Sequence, residues 1–318
     1  MGKILVTGAT GQIGSELVPA LRNLYGNENV IAAGHSKEPE GELQGGPCTS
    51  LDVTDPGAIK ITLKKYDVRK IFHLSSILSS LGEKNPGLAY SVNFNGLYNV
   101  LEASRELKME RVIVPSSIAA FGKGTPQENT PNDTIQRPST MYGISKVFGE
   151  LIGNYYFKKF GLDVRGVRFP GIISWKTEPT AGTTDYAVAI YYEAIRKKQY
   201  TCYLKENARL PMMYMPDAVN ALIDLERADG KNLIHRADFN VNSMSFGPKE
   251  ISQNIKKRIP DFKIDYEIDP VRQAIAESWP LSLDDSAARK EWGWTPKWDM
   301  DKMTDDMLKN LRIKLGID

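Results

Sequence analysis

Tyr142 and Lys146 lie four residues apart in the segment TMYGISKVFGEL, and this spacing places both side chains on one face of a helix. A tyrosine has an unperturbed pKa near ~10, which is too high for a base at neutral pH. A neighbouring ammonium group favours the phenolate and lowers that pKa. The pair can therefore remove a proton from an alcohol. The same spacing also occurs by chance, where Tyr142 is a packed aromatic residue and Lys146 a solvated charge.

A serine pair precedes this helix, at the end of the apolar segment ERVIVPSS. Ser117 can hydrogen-bond the oxygen of a reacting alcohol. The alternative is a turn serine that satisfies backbone groups. In open α/β sheets, ligands bind at the carboxyl ends of the strands, and Ser117 stands at such an end. Ser117, Tyr142 and Lys146 are therefore the catalytic candidates.

The N-terminal segment KILVTGATGQIGSELVPAL combines a short apolar run, three glycines and the start of a helical pattern. Strand, turn and helix in this order favour a dinucleotide site over an ordinary glycine turn. Gly8 allows the tight turn, Gly11 lets the backbone approach a pyrophosphate, and Gly14 lets the helix pack close to the strand. Gln12 and Ile13 would present the helix N-terminus to the pyrophosphate. Together with the tyrosine and lysine pair, this turn predicts an enzyme that transfers hydride.

The composition is that of an ordinary globular protein of 318 residues, 41% hydrophobic and 25% charged, with a net charge of +2. This charge predicts no binding to nucleic acid or to an anionic membrane surface. Apolar runs stay shorter than the about 18 residues of a membrane helix, and a core strand stands where a signal peptide would lie. Cys48 and Cys202 fit a reducing compartment, so we expect a cytoplasmic protein. No histidine pairs with a cysteine at metal-ligand spacing, and no metal site is predicted.

Strand and helix patterns alternate through the first half of the chain, which predicts a parallel sheet with helices on both faces. The segment DPGAIKITLKKY is one such helix, with Asp55 as its N-cap and Pro56 in its first turn. A single fifth strand is expected through ERVIVPSS and a single sixth strand through DVRGVRFPG. The predicted fold class is α/β, with a Rossmann-type doubly wound parallel sheet that binds the dinucleotide over residues 1–170.

The second half is less regular, and residues 171–318 are expected to form mainly a smaller C-terminal substrate-binding lobe. Helical patterns are present in TTDYAVAIYYEAIRK, in MPDAVNALIDLERA and in three later segments. Asp217 is the candidate start of the second of these helices. Part of the range 200–230 is expected to return to the first domain.

The segments TGATGQIG, FHLSS, NFNGLYNVLEA, PSSIAAFG and YGISK resemble the extended short-chain dehydrogenase/reductase family, over nearly the whole chain. The resemblance implies that Ser117, Tyr142 and Lys146 form the catalytic triad, and that Tyr142 and Lys146 also contact the dinucleotide. It implies further that Asn93 helps to order the site, although a helix-surface amide is the alternative. Other dinucleotide contacts are expected just after the second, third and fourth strands, at His35, Ser36, Asp52, Val53 and Leu74.

The segments GTTDYAV, PMMYMPDA and ESWPLSLDDS resemble the L-threonine 3-dehydrogenase branch of this family. The resemblance implies NAD-dependent oxidation of a small amino-acid substrate, L-threonine, to 2-amino-3-oxobutyrate. The carboxylate and ammonium groups of that substrate each need polar partners. Asp185 is the candidate for the ammonium, although it can instead cap the following helix, and Trp279 can line the pocket or belong to the core. The substrate candidates are Ser79, Ser80, Ser117, Tyr142, Thr183, Thr184, Asp185 and Trp279.

Two other functions are compatible with the family resemblance. A UDP-sugar 4-epimerase uses the same triad, but it needs cationic groups for a second diphosphate. The basic residues of the 170–215 region form no obvious cluster for that purpose. A non-enzymatic dinucleotide sensor tolerates loss of the triad, which is intact here.

Gly34 departs from the pattern of NAD-specific folds, which usually place an acid after the second strand to bind the ribose 2′-hydroxyl. His35, Ser36 and Lys37 follow it, so no carboxylate at this position repels the 2′-phosphate of NADP. The resemblance implies NAD, and NADP stays an alternative.

The family resemblance also implies a symmetric homodimer formed through two long helices, which correspond here to residues 86–107 and 141–160. Their apolar residues, such as Leu97, Val100, Phe148 and Ile152, exceed what one core-facing stripe needs. We therefore expect a homodimer.

Overall fold

The computed structural model describes residues 2–180 and 182–317. Its strands alternate with helices along the first half of the chain, as the sequence predicts. In chain order the strands are β1 Lys3–Thr7, β2 Val30–Gly34, β3 Cys48–Ser50, β4 Val68–His73, β5 Arg111–Ile113, β6 Ser116–Ser117, β7 Val164–Arg165, β8 Val167–Phe169, β9 Gly171–Ile173, β10 Gln199–Cys202, β11 Leu210–Tyr214, β12 Phe239–Asn240, β13 Met244–Phe246 and β14 Lys263–Tyr266.

The helices connect these strands and cover the sheets. In chain order they are α1 Gly14–Tyr25, α2 Pro56–Lys65, α3 Ser79–Lys84, α4 Pro86–Ala89, α5 Leu97–Glu106, α6 Met141–Phe160, α7 Tyr186–Lys197, α8 Met215–Arg227, α9 Pro248–Lys256, α10 Pro270–Glu277, α11 Ser286–Trp292 and α12 Met300–Leu315. A wide π-helical turn, Tyr90–Gly96, joins α4 to α5, so this stretch is one long helix with an irregular middle.

The main sheet has six strands in the order β3-β2-β1-β4-β5-β7, and all of its pairs are parallel. The chain winds outward from β1 in one direction and then from β4 in the other. This reversal between β1 and β4 is the point at which Rossmann-type sheets bind ligands. The predicted fold class is confirmed. The predicted N-cap of α2 is also present, since the Asp55 carboxylate accepts hydrogen bonds from the N–H groups of Gly57 and Ala58.

The predicted fifth and sixth strands were each wrong in extent, because each one breaks into two. The break in the sixth strand is at Gly166, where a Cβ atom would lie 2.2 Å from the carbonyl oxygen of Val114. After this close approach the chain leaves the main sheet. Strands β6 and β8 then pair with each other, with Ser116 opposite Arg168, in a small separate sheet that β12 completes. Ser117 therefore lies on a second sheet beside the main one.

Both faces of the main sheet are buried, as the continuous apolar strands require. Side chains alternate along β1, so Ile4 and Val6 face one hydrophobic cluster and Leu5 faces another. The first cluster includes α1 and the buried side of α8, and these two helices pack together. Helix α8 therefore lies against the first half of the chain.

The second half has a core of its own, built from α7, α9, α12 and the β10–β14 pair. Ile118 and Phe121, just after β6, belong to the same cluster, which joins this core to the first half. Asp217 lies in the first turn of α8 but does not begin the helix, so that prediction was wrong. Its carboxylate accepts hydrogen bonds from the N–H groups of Lys297 and Trp298 instead, and it ties down the loop before α12.

Candidate active site

The glycine turn after β1 has the geometry that a bound pyrophosphate needs. Gly8 has a φ of +67°, and a Cβ atom there would lie 2.8 Å from the backbone of Leu74 and Ser75. A Cβ atom on Gly14 would lie 2.4 Å from the carbonyl oxygen of Gly8, so α1 begins directly against the turn. Gly11 is exposed and its N–H donates to the Gly8 carbonyl. The backbone thus leaves an open cradle at the N-terminus of α1, and a dinucleotide fits there.

Gln12 and Ile13 stand at the mouth of this cradle. Both are half-buried, and Ile13 is the residue that precedes α1. The N–H groups of Ser15 and Glu16 already donate to the carbonyls of Gly11 and Ile13. Those of Gln12, Ile13 and Gly14 are the ones that would face an anion placed here. Leu74 follows β4 on the other side of the turn, and its N–H donates to the Thr7 carbonyl.

Four predicted dinucleotide contacts lie after β2 and β3. His35 and Ser36 are exposed at the end of β2, and the His35 ring lies 3.7 Å from the Asp52 carboxylate. The backbone N–H and hydroxyl of Thr54 both donate to Asp52 at 2.8 Å, and they lower its pKa. Val53 is buried beside them.

Gly34 is required by the local fold, which explains the missing acid after β2. A Cβ atom at this position would lie 2.3 Å from the Lys37 carbonyl oxygen and 3.2 Å from the Thr10 methyl group. The chain folds back over Gly34 immediately after the strand. An aspartate therefore cannot replace it without moving the backbone.

Asn93 lies in the π-helical turn and is buried, with only 6% of its surface exposed. Its side-chain oxygen accepts from the Ile77 N–H at 2.7 Å, and its amide donates to the Ile77 carbonyl at 2.9 Å and to the Ser145 hydroxyl at 3.3 Å. Asn93 thus fixes the loop after β4 against α6. It is an ordering residue rather than a helix-surface amide.

Helix α6 carries Tyr142 and Lys146 in its first two turns. It begins after Thr140, whose hydroxyl accepts from the Gly143 N–H at 3.1 Å. A Cβ atom on Gly143 would lie 2.2 Å from the Ala119 carbonyl oxygen, so the helix starts in close contact with the turn that follows Ser117. This contact brings the three catalytic candidates together.

The pKa values of Tyr142 and Lys146 both shift in the direction that favours the neutral side chain. Burial raises the pKa of Tyr142 to about 12, and the Ser117 hydroxyl acts in the opposite direction. Burial lowers the pKa of Lys146 to about 8. The Lys146 amino group lies 5.1 Å from the centre of the Tyr142 ring, close enough for its charge to favour the phenolate. Tyr142 is therefore protonated at neutral pH when no ligand is bound.

Ser117 lies at the end of β6 and is half-buried. Its hydroxyl oxygen accepts a hydrogen bond from the Ala119 N–H at 3.2 Å. A hydroxyl can accept and donate at the same time, so the turn role does not prevent Ser117 from donating to a reacting oxygen. The two interpretations of this serine are compatible.

The predicted substrate residues lie in two groups. Ser79 and Ser80 begin α3, which packs against α6. Thr183 and Thr184 are in a short turn before α7. Thr184 packs on Gly171, the first residue of β9. Since β8 pairs with β6, this turn lies on the Ser117 side of the fold.

Asp185 and Trp279 have more definite surroundings. The Asp185 carboxylate accepts from the N–H and the hydroxyl of Thr180, each at 2.6 Å, and it makes no side-chain cap on α7. Asp185 therefore stands at the N-cap position of α7, as the alternative has it, but its side chain bonds Thr180 instead of capping the helix. Trp279 is 8% exposed and belongs to the core cluster against which Tyr142 packs.

Several groups that surround Lys146 were not predicted from the sequence. Its amino group donates to the Pro115 carbonyl at 2.9 Å, and the neighbouring Ser116 hydroxyl donates to Glu150. Buried His73 lies on the same side, where burial and the Lys146 charge lower its pKa to about 3. A glutamate one helical turn after the lysine was the available signal for this arrangement.

Within residues 2–180 and 182–317, no group of three histidine, cysteine or acidic side chains could hold a metal ion. Over the same residues, no helix has the length and apolar character that crossing a bilayer requires.

Comparison with known proteins identifies the family. The model of the NAD dependent epimerase/dehydratase family matches residues 4–241. The chain belongs to this family. Its members include the extended short-chain dehydrogenases/reductases, so the predicted relationship is confirmed. The chain is therefore an enzyme of a family that uses a nicotinamide dinucleotide, and the cradle at Gly8, Gly11 and Gly14 fits that cofactor.

Solved structures of similar family members agree over the full length. L-threonine dehydrogenase from Clostridium difficile is 54% identical, with a TM-score of 0.97 over 100% of this chain and 99% of that chain. The GalE-like L-threonine dehydrogenase from Cupriavidus necator, in its holo form, is 47% identical, with a TM-score of 0.94 over 97% and 99%. A monomeric L-threonine 3-dehydrogenase from a metagenome is 45% identical, with a TM-score of 0.93 over 98% and 99%.

Proposed function

We propose that the protein is an NAD-dependent L-threonine 3-dehydrogenase. The observation that carries the proposal is the meeting of Ser117, Tyr142 and Lys146 beside the glycine cradle. It is joined by full-length similarity to three L-threonine dehydrogenases. The substrate would lie between the Tyr142 hydroxyl and the second half of the chain, with its 3-hydroxyl toward the tyrosine.

The proposed reaction balances as a two-electron oxidation. The C3–H bond of threonine breaks with both electrons, and the O–H bond loses a proton as the C=O bond forms. The products are 2-amino-3-oxobutyrate, a reduced dinucleotide and one proton. The oxidised nicotinamide, when bound, supplies the acceptor for the hydride.

Each member of the triad has one task in this proposal. Tyr142 takes the proton of the 3-hydroxyl, and the nearby Lys146 ammonium lowers the pKa of the tyrosine toward the working range. Lys146 also offers hydrogen bonds to the nicotinamide ribose. Ser117 donates to the substrate oxygen, since its own oxygen already accepts from Ala119.

The charged ends of threonine need separate partners. Ser79 and Ser80 offer hydroxyl donors at the N-terminus of α3 for the carboxylate, and Thr183 and Thr184 offer others from the opposite side. We propose Asp185 for the ammonium, directly or through a water molecule. Trp279 would close the apolar wall near Tyr142, and residues 171–318 would supply most of these contacts.

A spectrophotometric assay tests the proposal directly. Purified protein with L-threonine and NAD should produce NADH absorbance, and the rate should rise above neutral pH because the product side releases a proton. UDP-sugar turnover without net dinucleotide reduction would favour the 4-epimerase alternative. Dinucleotide binding without turnover of either substrate would favour the sensor alternative.

We propose NAD as the preferred dinucleotide, with weak discrimination against NADP. Membership of the NAD dependent epimerase/dehydratase family supports NAD, and Glu38, Glu40 and Asp52 add negative charge near the exposed loop after β2. Gly34 removes the usual acid, and Lys37 can attract a phosphate. The balance of these charges is small, so neither dinucleotide should be strongly rejected.

We also propose a homodimer, although not through the residues that the sequence suggested. Leu97 and Val100 are buried in the core of their own subunit, and Phe148 and Ile152 pack against it. A different apolar row is exposed on the same helices. It comprises Tyr98 at 48% exposed, Leu151 at 63% and Tyr155 at 53%.

Light scattering at micromolar concentration tests this assembly. The wild-type protein should have twice the mass of one chain, and Leu151→Glu should reduce it to one chain, since a charge would enter the contact. Ile313→Glu is the matched control, because Ile313 is 72% exposed on α12, which packs against α7 and α9. A single-chain mass for the wild type would place this protein with its monomeric metagenome relative.

A further inference from the structure

Glu150 is a buried carboxylate one helical turn after Lys146 on α6. Only 3% of its surface is exposed. An ionised group at such depth persists only when it is paired and hydrogen-bonded. Glu150 is bound on both oxygens. One accepts from the Ser116 hydroxyl, and the other accepts from the Gln136 amide at 2.6 Å.

Arg168 on β8 supplies the compensating charge. Its guanidinium donates to both Glu150 oxygens, at 2.9 and 2.8 Å, in a two-pronged ion pair. It also donates to the Asn132 carbonyl at 2.7 Å and to the Asn240 side chain at 3.2 Å. The pair is therefore held from several directions, and neither partner can turn away without leaving a buried charge.

The contacts of Glu150 end on the segment that carries the active site. Ser116, which donates to Glu150, lies between Pro115 and Ser117. The Pro115 carbonyl accepts from Lys146, and Ser117 faces Tyr142. The hydrogen bond from Ser116 to Glu150 thus helps to hold two groups that the reaction uses, the Pro115 carbonyl and the Ser117 hydroxyl.

A small cavity of about 20 Å³ lies between these groups. It is lined by Ser76, Ser116, Lys146 and Glu150 among others. The Ser76 hydroxyl is buried and has no hydrogen-bond partner among the described residues. A polar cavity of this size is large enough for one water molecule, and Glu150 and Lys146 both line it.

We propose that Glu150 is a positioning residue for the reaction, one that holds the Pro115–Ser117 segment in place and keeps the Lys146 ammonium charged. This inference rests on the proposed function of the triad. It gives a reason for placing a costly buried ion pair directly behind the lysine.

The charged groups around Lys146 agree with this role. Burial lowers the pKa of Lys146, and the charge of Glu150 raises it. His73 faces Lys146 from β4 and stays neutral above about pH 3, and Tyr142 is neutral until about pH 12. Asp238, packed near the ion pair, has a raised pKa because it is buried.

The substitution Glu150→Gln tests the proposal, because glutamine keeps the volume and a hydrogen bond to Ser116 but removes the charge. Loss of the charge should lower the pKa of Lys146 from about 8. The high-pH limb of the kcat/KM profile should then move to lower pH. Because the site is also loosened, kcat should fall by about 10–100-fold.

Two companion variants separate position from charge. Ser116→Ala cuts the link to the segment but leaves Glu150 charged, so kcat should fall by a smaller factor without a change in the pH profile. The double variant Glu150→Gln/Arg168→Met removes both charges of the pair and avoids an unpaired arginine. It should regain thermal stability relative to Glu150→Gln, yet keep the lowered pKa of Lys146.

The ionisation of Lys146 can be followed without turnover, by NMR of ε-¹³C-lysine with Lys146→Arg to assign the signal. A wild-type pKa for Lys146 in both Glu150→Gln and the double variant would overturn the proposal, as would a double variant with wild-type activity. A lowered pKa of Lys146 together with reduced activity in the folded variants supports it. Failure of wild-type protein to oxidise threonine would reject the proposed function and leave this NMR result to be judged separately.

Discussion

The glycine turn and the catalytic segment are two halves of one site, and they are built differently. At the turn, Gly8 and Gly14 shape the cradle by lacking side chains, since a Cβ atom on either would meet backbone within 3 Å. At the catalytic segment, Ser116 and Lys146 are held by hydrogen bonds to Glu150 and Pro115. One region is made by backbone and the other by side chains.

This difference has a physical consequence for what each region tolerates. A backbone cradle depends on space, so an added side-chain atom damages it even when no charge changes. A side-chain site depends on charge and hydrogen bonds, so a substitution of equal volume can disable it while the fold persists. Substitutions on each side should therefore fail in different ways.

Tyr142→Phe should give the largest effect, because it removes only the oxygen that accepts the proton. A general base contributes about 10²–10⁴-fold to the rate, and kcat should fall by that factor. Dinucleotide affinity, measured by quenching of protein fluorescence, should stay within about twofold of the wild type. A Tyr142→Phe enzyme with near-normal kcat would contradict the assignment of the base.

Gly14→Ala should weaken dinucleotide binding through a steric clash, without any change of charge. The new methyl group would lie 2.4 Å from the Gly8 carbonyl oxygen, and overpacking of this kind costs about 1–3 kcal/mol. Dinucleotide binding should weaken by tenfold or more and Tm should fall. Gly45→Ala is the matched control, since nothing lies within 4 Å of a Cβ atom there. Equal affinities for the two variants would mean that the cradle does not depend on this contact.

The glycine-turn region should discriminate only weakly between NAD and NADP, because it has no acid after β2. The ratio of kcat/KM for NAD over NADP, at saturating threonine, should be above one but below the values of enzymes with an acid after β2. A tenfold preference for NADP, about 1.4 kcal/mol, would reverse the proposed preference. His35, Ser36 and Lys37 would then form a phosphate site.

The smallest expected effect is a pH dependence of stability that arises from His235. His235 contacts Glu291 at 2.6 Å and Asp133 at 3.3 Å. Burial opposes its charge, but these two carboxylates prevail and raise the pKa of His235 above 6.5.

Because the folded-state pKa of His235 is the higher one, its stabilisation is complete below about pH 6.5 and is lost as the pH rises through the folded value. His235→Gln should lower Tm by about 2 °C at pH 5.5 and by less at pH 9. Thermal denaturation at the two pH values measures the difference. An equal loss of Tm at both would show that the charge on His235 has no part in stability.

The same contrast explains what the sequence could predict. Glycine spacing, the Asp55 cap and the Tyr142–Lys146 pair are local patterns, and the structure places all of them in the expected elements. The break at Gly166 depends on Val114, far away in the chain, and therefore left no local signal. The substrate candidates and the domain boundaries stay predictions.

Glu150 was missed for a related reason. Its partner Arg168 is on another element, and the Asn240 contact of that arginine is 72 residues further along. A buried ion pair leaves no periodic mark in a sequence. Gly34 shows the opposite case, in which the unusual residue was visible but its cause, the Lys37 carbonyl, was not.

The π-helical turn Tyr90–Gly96 makes the length of its helix matter as much as its composition. Such a turn behaves as an α-helix with one extra residue, and each residue of an α-helix rotates the chain by about 100°. Deleting any one residue there would restore regular winding and rotate α4 relative to α5. Asn93 would then lose either Ile77 or Ser145. This stretch should therefore tolerate the substitution of many side chains better than the deletion or insertion of a single residue.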